Sequence, residues 1–204
     1  VQDKYGYIWV GTEYGLSKFD GYRFTNYLHN KKDTTTITDN IISALLVDKK
    51  GELWIGSAKG LMRYNYETNN FTRLRFPDGR NPRIYSMVES HQGDILLGTA
   101  GYGLYSVKNG GVEKAPDSKF TIKQERQYAD RDSDEFFTHI YEDKHHYLWQ
   151  SSHLSTFTRF IENKGKVQRK DFKSPYGAPV VFIQHRPQAM LIVCMYGIIY
   201  YDYR

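Results

Sequence analysis

Four arginines between residues 73 and 83 form one group of side chains with evident binding chemistry: Arg73, Arg75, Arg80 and Arg83. A guanidinium presents a planar fork of N–H donors that matches a carboxylate or a sulfate. The alternative is that these residues form a solvated face. We take Arg75 and Arg83 as candidate ligand-binding residues.

A second group of candidates stands in short turns between strand-like runs: Tyr14, Lys59, Tyr102, His153 and Tyr196. A tyrosine ring can stack on the C–H surface of a sugar, while neighbouring polar groups bind its hydroxyls. The alternative for each tyrosine is that its ring covers its own sheet. These residues are therefore candidates for an oligosaccharide site.

Two segments contain residue types that bind metals, and we predict a metal site in neither. Three aspartates alternate like the start of a calcium loop: Asp130, Asp132 and Asp134. Glu135 stands where that loop needs glycine, and no glutamate closes it. The pair His145–His146 has no cysteine or histidine partner at a metal-binding spacing. We therefore expect no metal and no other cofactor.

Covalent or acid–base catalysis has little support in the sequence. Cys194, the one cysteine, lies in a strand pattern and is expected to be a buried, inert thiol. No nucleophile-elbow motif occurs, and the carboxylates form no evident facing pair, although a glycosidase pair need not be close in sequence. We therefore do not expect this region to be an enzyme.

The candidate residues lie on a repeat that extends along residues 1–204. The stretch Gly51–Asn65 reads as two short strands joined by a turn, and related copies occur before and after it. The copies align on Trp9, Trp54, Leu96, Trp149 and Leu191, at intervals of 45, 42, 53 and 42 residues. All three tryptophans of the chain fall at this one position. We predict that these five anchors are framework residues within a single domain.

A period of about 40–45 residues with four strands in each unit is typical of a β-propeller. We predict an all-β fold of four-stranded antiparallel blades, with about five blades present. The first blade lacks its first strand and the last blade lacks its fourth, which leaves three, four, four, four and three strands. Such a chain is either an open arc of a larger ring or a small ring that closes imperfectly.

Composition limits the partners of this region. No apolar run approaches the ~18 residues needed to span a bilayer. The net charge of +5 is modest and scattered, and no nucleic-acid-binding motif is visible, so we expect no nucleic-acid partner. The sequence begins at Val1 without a signal peptide, and we expect it to be a fragment of a longer protein.

The repeat resembles the two-component regulator propeller. Residues 3–20 and 48–65 follow its pattern Asp-x-x-Gly-x-Leu/Ile-Trp-Ile/Val-Gly-Thr/Ser-x-x-Gly-Leu-x-x-Tyr/Phe almost position by position. Residues 89–107 match with Leu96 in place of tryptophan, and residues 143–160 and 185–202 are degenerate copies.

This resemblance implies a function. Propellers of this family form the periplasmic sensor of hybrid two-component systems, in which a membrane helix, a histidine kinase, a receiver and a DNA-binding region follow on the same chain. Their rings typically have seven blades, so the resemblance implies that these five blades are an arc of a seven-bladed ring, and their usual inducers are oligosaccharides. The expected partners are thus an oligosaccharide, the rest of the sensor chain and a second copy in a homodimer. The alternatives are a polysaccharide-active glycosidase or lyase and a protein-interaction scaffold.

Overall fold

The computed structural model describes residues 1–77, 79–109, 120–125, 138–151, 155–163 and 166–204. Within these ranges, 18 strands form five antiparallel sheets of three, four, four, four and three strands. Strand order follows chain order in every sheet, so each sheet is a meander. The all-β propeller fold and its strand numbers are as the repeat predicts.

We number the sheets as blades 1 to 5 and label the strands of a complete blade a to d. Blade 1 contains strands b to d: β1 (Ile8–Thr12), β2 (Gly15–Phe19) and β3 (Phe24–Tyr27). Blade 2 contains β4 (Ile42–Val47), β5 (Leu53–Ser57), β6 (Gly60–Asn65) and β7 (Asn70–Arg73). Blade 3 contains β8 (Ile84–Glu89), β9 (Ile95–Thr99), β10 (Leu104–Asn109) and β11 (Phe120–Gln124).

Blade 4 contains β12 (His139–Glu142), β13 (Leu148–Ser151), β14 (Thr156–Asn163) and β15 (Lys166–Lys173). Blade 5 contains strands a to c: β16 (Pro179–Arg186), β17 (Ala189–Cys194) and β18 (Gly197–Asp202). Adjacent a strands contact one another, β4 with β8, β8 with β12 and β12 with β16. The a strands therefore form the inner wall of the blade array.

Each tryptophan is fixed by the aspartate six residues before it. The carboxylate Oδ2 accepts a hydrogen bond from the indole Nε1–H at 2.7–2.9 Å in three pairs: Asp3–Trp9, Asp48–Trp54 and Asp143–Trp149. The other oxygen accepts two backbone N–H groups of the a–b turn, such as those of Lys50 and Glu52 on Asp48. One side chain thus closes the turn and orients the indole.

Four apolar clusters fill the four interfaces between consecutive blades. Trp9 of blade 1 packs with Ile42 and Leu53 of blade 2. Trp54 occupies the corresponding place towards blade 3 and Trp149 towards blade 5. Leu96 lies against the cluster between blades 3 and 4. Stacking of blades is therefore what buries the large residue at the repeat position.

The five predicted framework residues differ in burial. Trp9, Trp54 and Trp149 are buried almost completely, whereas Leu96 and Leu191 are half-buried. Leu191 lies in the last sheet, where Val181, Ile183 and Ile198 are exposed. Cys194 is buried in the interface between blades 4 and 5, as its strand pattern indicates.

The first and last sheets remain separate. β1 and β18 are edge strands of two different three-stranded sheets, so the described strands do not close a ring by hydrogen bonding. Val1 exchanges two backbone hydrogen bonds with Trp9, which is the pairing that Leu46 makes with Trp54 in blade 2. Val1 therefore stands in the strand-a position of blade 1. No helix within the described ranges is long and apolar enough to cross a membrane.

Candidate functional site

The turns between strands b and c lie at the end of the blades where strand a begins. The residues that lead into strand a form its entry segment. In blades 2, 3 and 5, a residue of the turn donates its backbone N–H to that entry segment: Ala58 to Ile41, Ala100 to Arg83 and Met195 to Ala178, at 2.9–3.1 Å. We call this end of the blades the b–c end. It carries Tyr14, Lys59, Tyr102 and Tyr196, so the sequence-based placement of these four residues in b–c turns is correct.

In blades 1 and 2, a hydroxyl at the end of strand b holds the b–c turn through two hydrogen bonds. Thr12 Oγ1 donates to the carbonyl of Gly15 at 3.0 Å and accepts the N–H of Tyr14 at 2.9 Å. Ser57 has the same role in blade 2, where it accepts the N–H of Lys59 at 3.0 Å. The backbone that presents Tyr14 and Lys59 is therefore fixed before any ligand binds.

Two tyrosines of the b–c end project into solvent. Tyr14 is 84% exposed and Tyr196 is 80% exposed. Neither ring covers its own blade, which was the alternative to a binding role. The Tyr196 ring passes over Gly177, where an added Cβ would lie 3.1 Å from Cδ2 of the ring. Both rings therefore offer free faces on which a sugar can stack.

Lys59 is paired with the connection that precedes its own blade. Its Nζ lies 2.9 Å from Asp39 Oδ2, and Asp39 also accepts the N–H of Ile41. Partial burial would raise the pKa of Asp39, but the hydrogen bonds from Lys59 and Ile41 outweigh it and the net shift is downward. The pair places a fixed cation and a fixed carboxylate side by side at the b–c end.

Tyr102 is only partly exposed, unlike Tyr14 and Tyr196. Its ring lies against the cluster between blades 2 and 3, and the Arg80 guanidinium stands over it at 5.0 Å. Such cation–π contacts hold a guanidinium flat against a ring. Tyr102 therefore both covers its blade and supports Arg80, one of the four arginines that the sequence analysis named.

The four arginines make separate contacts. Arg73 donates to the backbone carbonyls of Asp33, Thr36 and Ile37, and so ties blade 2 to the connection before it. The guanidinium of Arg83 lies 5.1 Å from the centre of the Tyr85 ring, and its Nε is buried without a hydrogen-bond partner in the described structure. Arg75 is exposed. Arg75 therefore offers an exposed guanidinium to an anionic group, Arg83 is half-buried with its Nε out of a ligand's reach, and Arg73 has a structural role.

Several sequence-based predictions fall on parts of the chain outside the described residues. His153 and the aspartates at 130, 132 and 134 belong to residues 152–154 and 126–137. The structure adds a neighbour of His146 that the sequence analysis did not identify. The His146 ring stacks on that of His91 at a centroid distance of 4.0 Å, so His146 does have a histidine partner. His91 lies in another blade, so a rule based on the spacing of ligands along the sequence does not identify it.

The sequence analysis also missed the buried bond between aspartate and tryptophan. A signal for it was present, because an aspartate precedes each tryptophan by six residues. Where the anchor is Leu96 the same position is Ser90, and where it is Leu191 the position is His185. The two residues therefore change together, as expected for a bonded pair.

The fold and its repeated turns define the class of this chain as a β-propeller. The family described as Two component regulator propeller matches at residues 36–59. This segment begins in the connection between blades 1 and 2 and continues through β4 and β5 to the b–c turn of blade 2. The resemblance seen in the sequence is confirmed for this repeat.

One similar protein is a histidine kinase, Histidine kinase P4 of Formosa agariphila. It is 54% identical over 37 residues, which are 18% of this chain and 3% of that protein. The chain thus spans a small part of the relative that it matches.

Solved structures share the fold at low identity. The extracellular domain assigned to a hybrid two-component system of B. thetaiotaomicron has a TM-score of 0.71 at 17% identity, over 99% of this chain and 26% of that one. PorZ of Porphyromonas gingivalis has a TM-score of 0.73 at 14% identity, over 97% and 31%. Virginiamycin B lyase of Staphylococcus aureus has a TM-score of 0.67 at 16% identity, over 99% and 68%. These similarities show the propeller fold.

Proposed function

We propose that this chain is the ligand-sensing propeller region of a hybrid two-component sensor and that it binds an oligosaccharide at the b–c end. The match of residues 36–59 to the two-component regulator propeller carries the proposal. The segment shared with a histidine kinase supports the link to a kinase elsewhere on the same chain. The region then lies in the periplasm, as the sensor part of an inner-membrane protein.

The b–c end suits a sugar better than the opposite end does. It presents the free ring faces of Tyr14 and Tyr196, the ion pair of Lys59 with Asp39, and the arginines near blade 3. Rings stack on C–H surfaces, while lysine, carboxylate and guanidinium groups bind hydroxyls or anionic substituents. Arg75 and Arg83 favour a glycan that carries carboxylate or sulfate groups.

The ligand should be bound and released unchanged. Signalling then depends on differential binding to two arrangements of the sensor, in which the ligand shifts the geometry of the domains or of a homodimer. A glycosidase or lyase would instead turn the ligand over, and an interaction scaffold would bind protein in place of glycan. Both alternatives give distinct results in the experiment below.

The test is to incubate the protein with neutral, carboxylated and sulfated oligosaccharides while its melting temperature and the recovered sugar are analysed. We expect a ligand that raises the melting temperature by mass action and is recovered intact. Cleavage that persists after repurification and vanishes when a carboxylate is substituted would instead show an enzyme. A panel without any stabilising sugar contradicts the proposal.

Variants of the exposed tyrosines locate the site. Tyr14→Ala and Tyr196→Ala should each raise the dissociation constant roughly three- to tenfold, because each removes one stacking ring. Tyr22→Ala is the matched control, since Tyr22 is almost fully exposed but lies in the c–d turn at the opposite end. Equal effects of all three substitutions would contradict a site at the b–c end.

A further inference from the structure

Three potential metal ligands meet where the a–b turns of blades 3 and 4 adjoin. His91 is the second residue of one turn, Glu142 ends β12, and His146 is the last residue of the next turn. One ligand atom from each residue lies within 4.8 Å of the other two. The group lies at the end of the blades opposite to the b–c end, so it is separate from the proposed sugar site.

The carboxylate of Glu142 is held beneath the two imidazoles. Its side chain is 8% exposed, and Oε1 lies 2.5 Å from His91 Nδ1 and 3.3 Å from His146 Nδ1. The rings stack at 4.0 Å with an angle of 27° between their planes. Both rings are about half exposed, which leaves the outer side of the group open to water.

The imidazoles are not needed for the contact between the blades. At the junction of blades 2 and 3, the Lys49 N–H donates to Glu89 Oε2 at 2.8 Å. At the junction of blades 3 and 4, the equivalent His91 N–H donates to Glu142 Oε2 at 3.1 Å. The backbone bond is thus the repeated feature. The two histidine rings are an addition at one junction.

His146 also departs from the repeat in its backbone. The equivalent turn position is glycine in the first three blades, with φ of 86° at Gly6, 78° at Gly51 and 83° at Gly93. His146 has φ of 63° in the same left-handed region, which a residue with a Cβ seldom occupies. A residue other than glycine in this conformation is uncommon, and such positions occur often at ligand sites.

We propose that His91, Glu142 and His146 bind a divalent transition-metal ion of the Zn²⁺ type, linking blade 3 to blade 4. Two histidines and one glutamate are an established zinc ligand set, with a fourth position filled by water. Tetrahedral bonds of about 2.0–2.1 Å place neighbouring ligand atoms about 3.3 Å apart. The pair His146–Glu142 already has this separation, the pair His91–Glu142 is shorter, and the two histidine ligand atoms lie within 4.8 Å, so the half-exposed rings have to reorient for the metal to bind.

The first test is titration of the untagged, chelator-treated protein with Co²⁺ and with Zn²⁺. We expect one equivalent of Co²⁺ to bind with the visible absorption of a tetrahedral site, and Zn²⁺ to displace it. Zn²⁺ should also raise the melting temperature by mass action. Absence of saturable binding would overturn the proposal, whatever the variants show.

Two single variants then assign the ligands. His91→Gln and His146→Asn should each weaken Zn²⁺ binding by at least about tenfold, and asparagine is chosen because it tolerates the left-handed backbone. His185→Gln is the matched control, since His185 is an exposed histidine of blade 5. Undiminished stoichiometric binding by both His91→Gln and His146→Asn would show that the metal binds elsewhere and would overturn the proposal.

Discussion

At the scale of single residues, the bond between aspartate and tryptophan explains why the repeat keeps both residues. A buried indole N–H that lacks an acceptor lowers the stability of the fold by about 1–3 kcal/mol. The same cost applies to each turn N–H group that would lose this carboxylate as its acceptor. Asp48 satisfies all of these donors with its two oxygens. The recurring residues of the repeat are therefore explained by packing and hydrogen bonding, while the b–c turns remain free to vary for binding.

Removal of an anchor should destabilise the fold strongly. Trp54→Ala opens a cavity between blades 2 and 3 and leaves Asp48 without its indole partner, so we expect a loss of about 3–5 kcal/mol in the free energy of unfolding. Denaturant unfolding measures the loss, with Tyr22→Ala as a surface control. Native tryptophan fluorescence that is fully quenched by a water-soluble quencher would contradict the buried placement of the three indoles.

His139 should make stability depend on pH. Burial lowers the pKa of His139 below its ordinary value of 6.5, so the unfolded chain takes up this proton at higher pH than the folded one. Between the folded pKa and 6.5, the free energy of unfolding therefore falls as the pH falls. Below the folded pKa, both states hold the proton and this contribution stays constant.

The matched variant is His139→Gln, which cannot titrate. Thermal melts at about pH 7.5 and about pH 5.5 should show a smaller loss of stability on acidification for the variant than for the parent protein. An equal loss in both proteins would show that other groups cause the pH dependence.

At the scale of elements, close approach of neighbouring blades depends on a glycine near the end of strand b. A Cβ on Gly56 would lie 2.8 Å from Cβ and Cγ2 of Ile84, the first residue of strand a in the next blade. A Cβ on Gly11 would likewise lie 2.6 Å from Ile42 Cγ2. The repeat therefore needs glycine here because two strands meet, not because of a turn.

Gly56→Ala should accordingly destabilise the protein by about 1–3 kcal/mol through overpacking. A double-mutant cycle with Ile84→Ala separates this cause from a backbone effect. If contact is the cause, the two destabilisations are less than additive, because the smaller side chain makes room for the new methyl group. Simple additivity in denaturant unfolding would refute this explanation.

Local patterns in the sequence predicted the elements well. The Asp20–Gly21 turn places Phe19 opposite Phe24, and all five anchors of the repeat fall in strand b of their blades. Contacts between blades were not predictable in this way. Arg73 reaches carbonyls 36 to 40 residues earlier, and His91 meets Glu142 across 51 residues. Such contacts depend on how one blade lies against the next, which a repeat pattern within one blade does not specify.

At the scale of the whole molecule, the two end blades carry apolar surface. Ile8, Val10 and Phe24 of blade 1 are exposed, as are Val181 and Ile198 of blade 5. Val1 and Gln2 pair with part of the edge strand β1, whereas the outer edge of β18 has no partner strand among the described residues. An unpaired edge beside apolar side chains recruits other chains, so self-association through blade 5 is expected.

The matched pair of variants for this expectation is Tyr200→Lys and Tyr22→Lys. Tyr200 lies in β18 and is more than half exposed, whereas Tyr22 lies in a turn at the surface of blade 1. Sedimentation velocity should show concentration-dependent association that Tyr200→Lys weakens and Tyr22→Lys does not. A compact monomer at all concentrations would contradict the expectation.

The central claim is that an oligosaccharide binds at the b–c end of a preformed blade array. Hydrogen–deuterium exchange, measured with and without a stabilising sugar from the panel, tests it most directly. The account predicts slower exchange in the b–c turns around Tyr14, Lys59 and Tyr196, with no change in the c–d turn around Tyr22. Protection confined to the opposite end of the blades, or absent from every b–c turn while the sugar is bound, would contradict it.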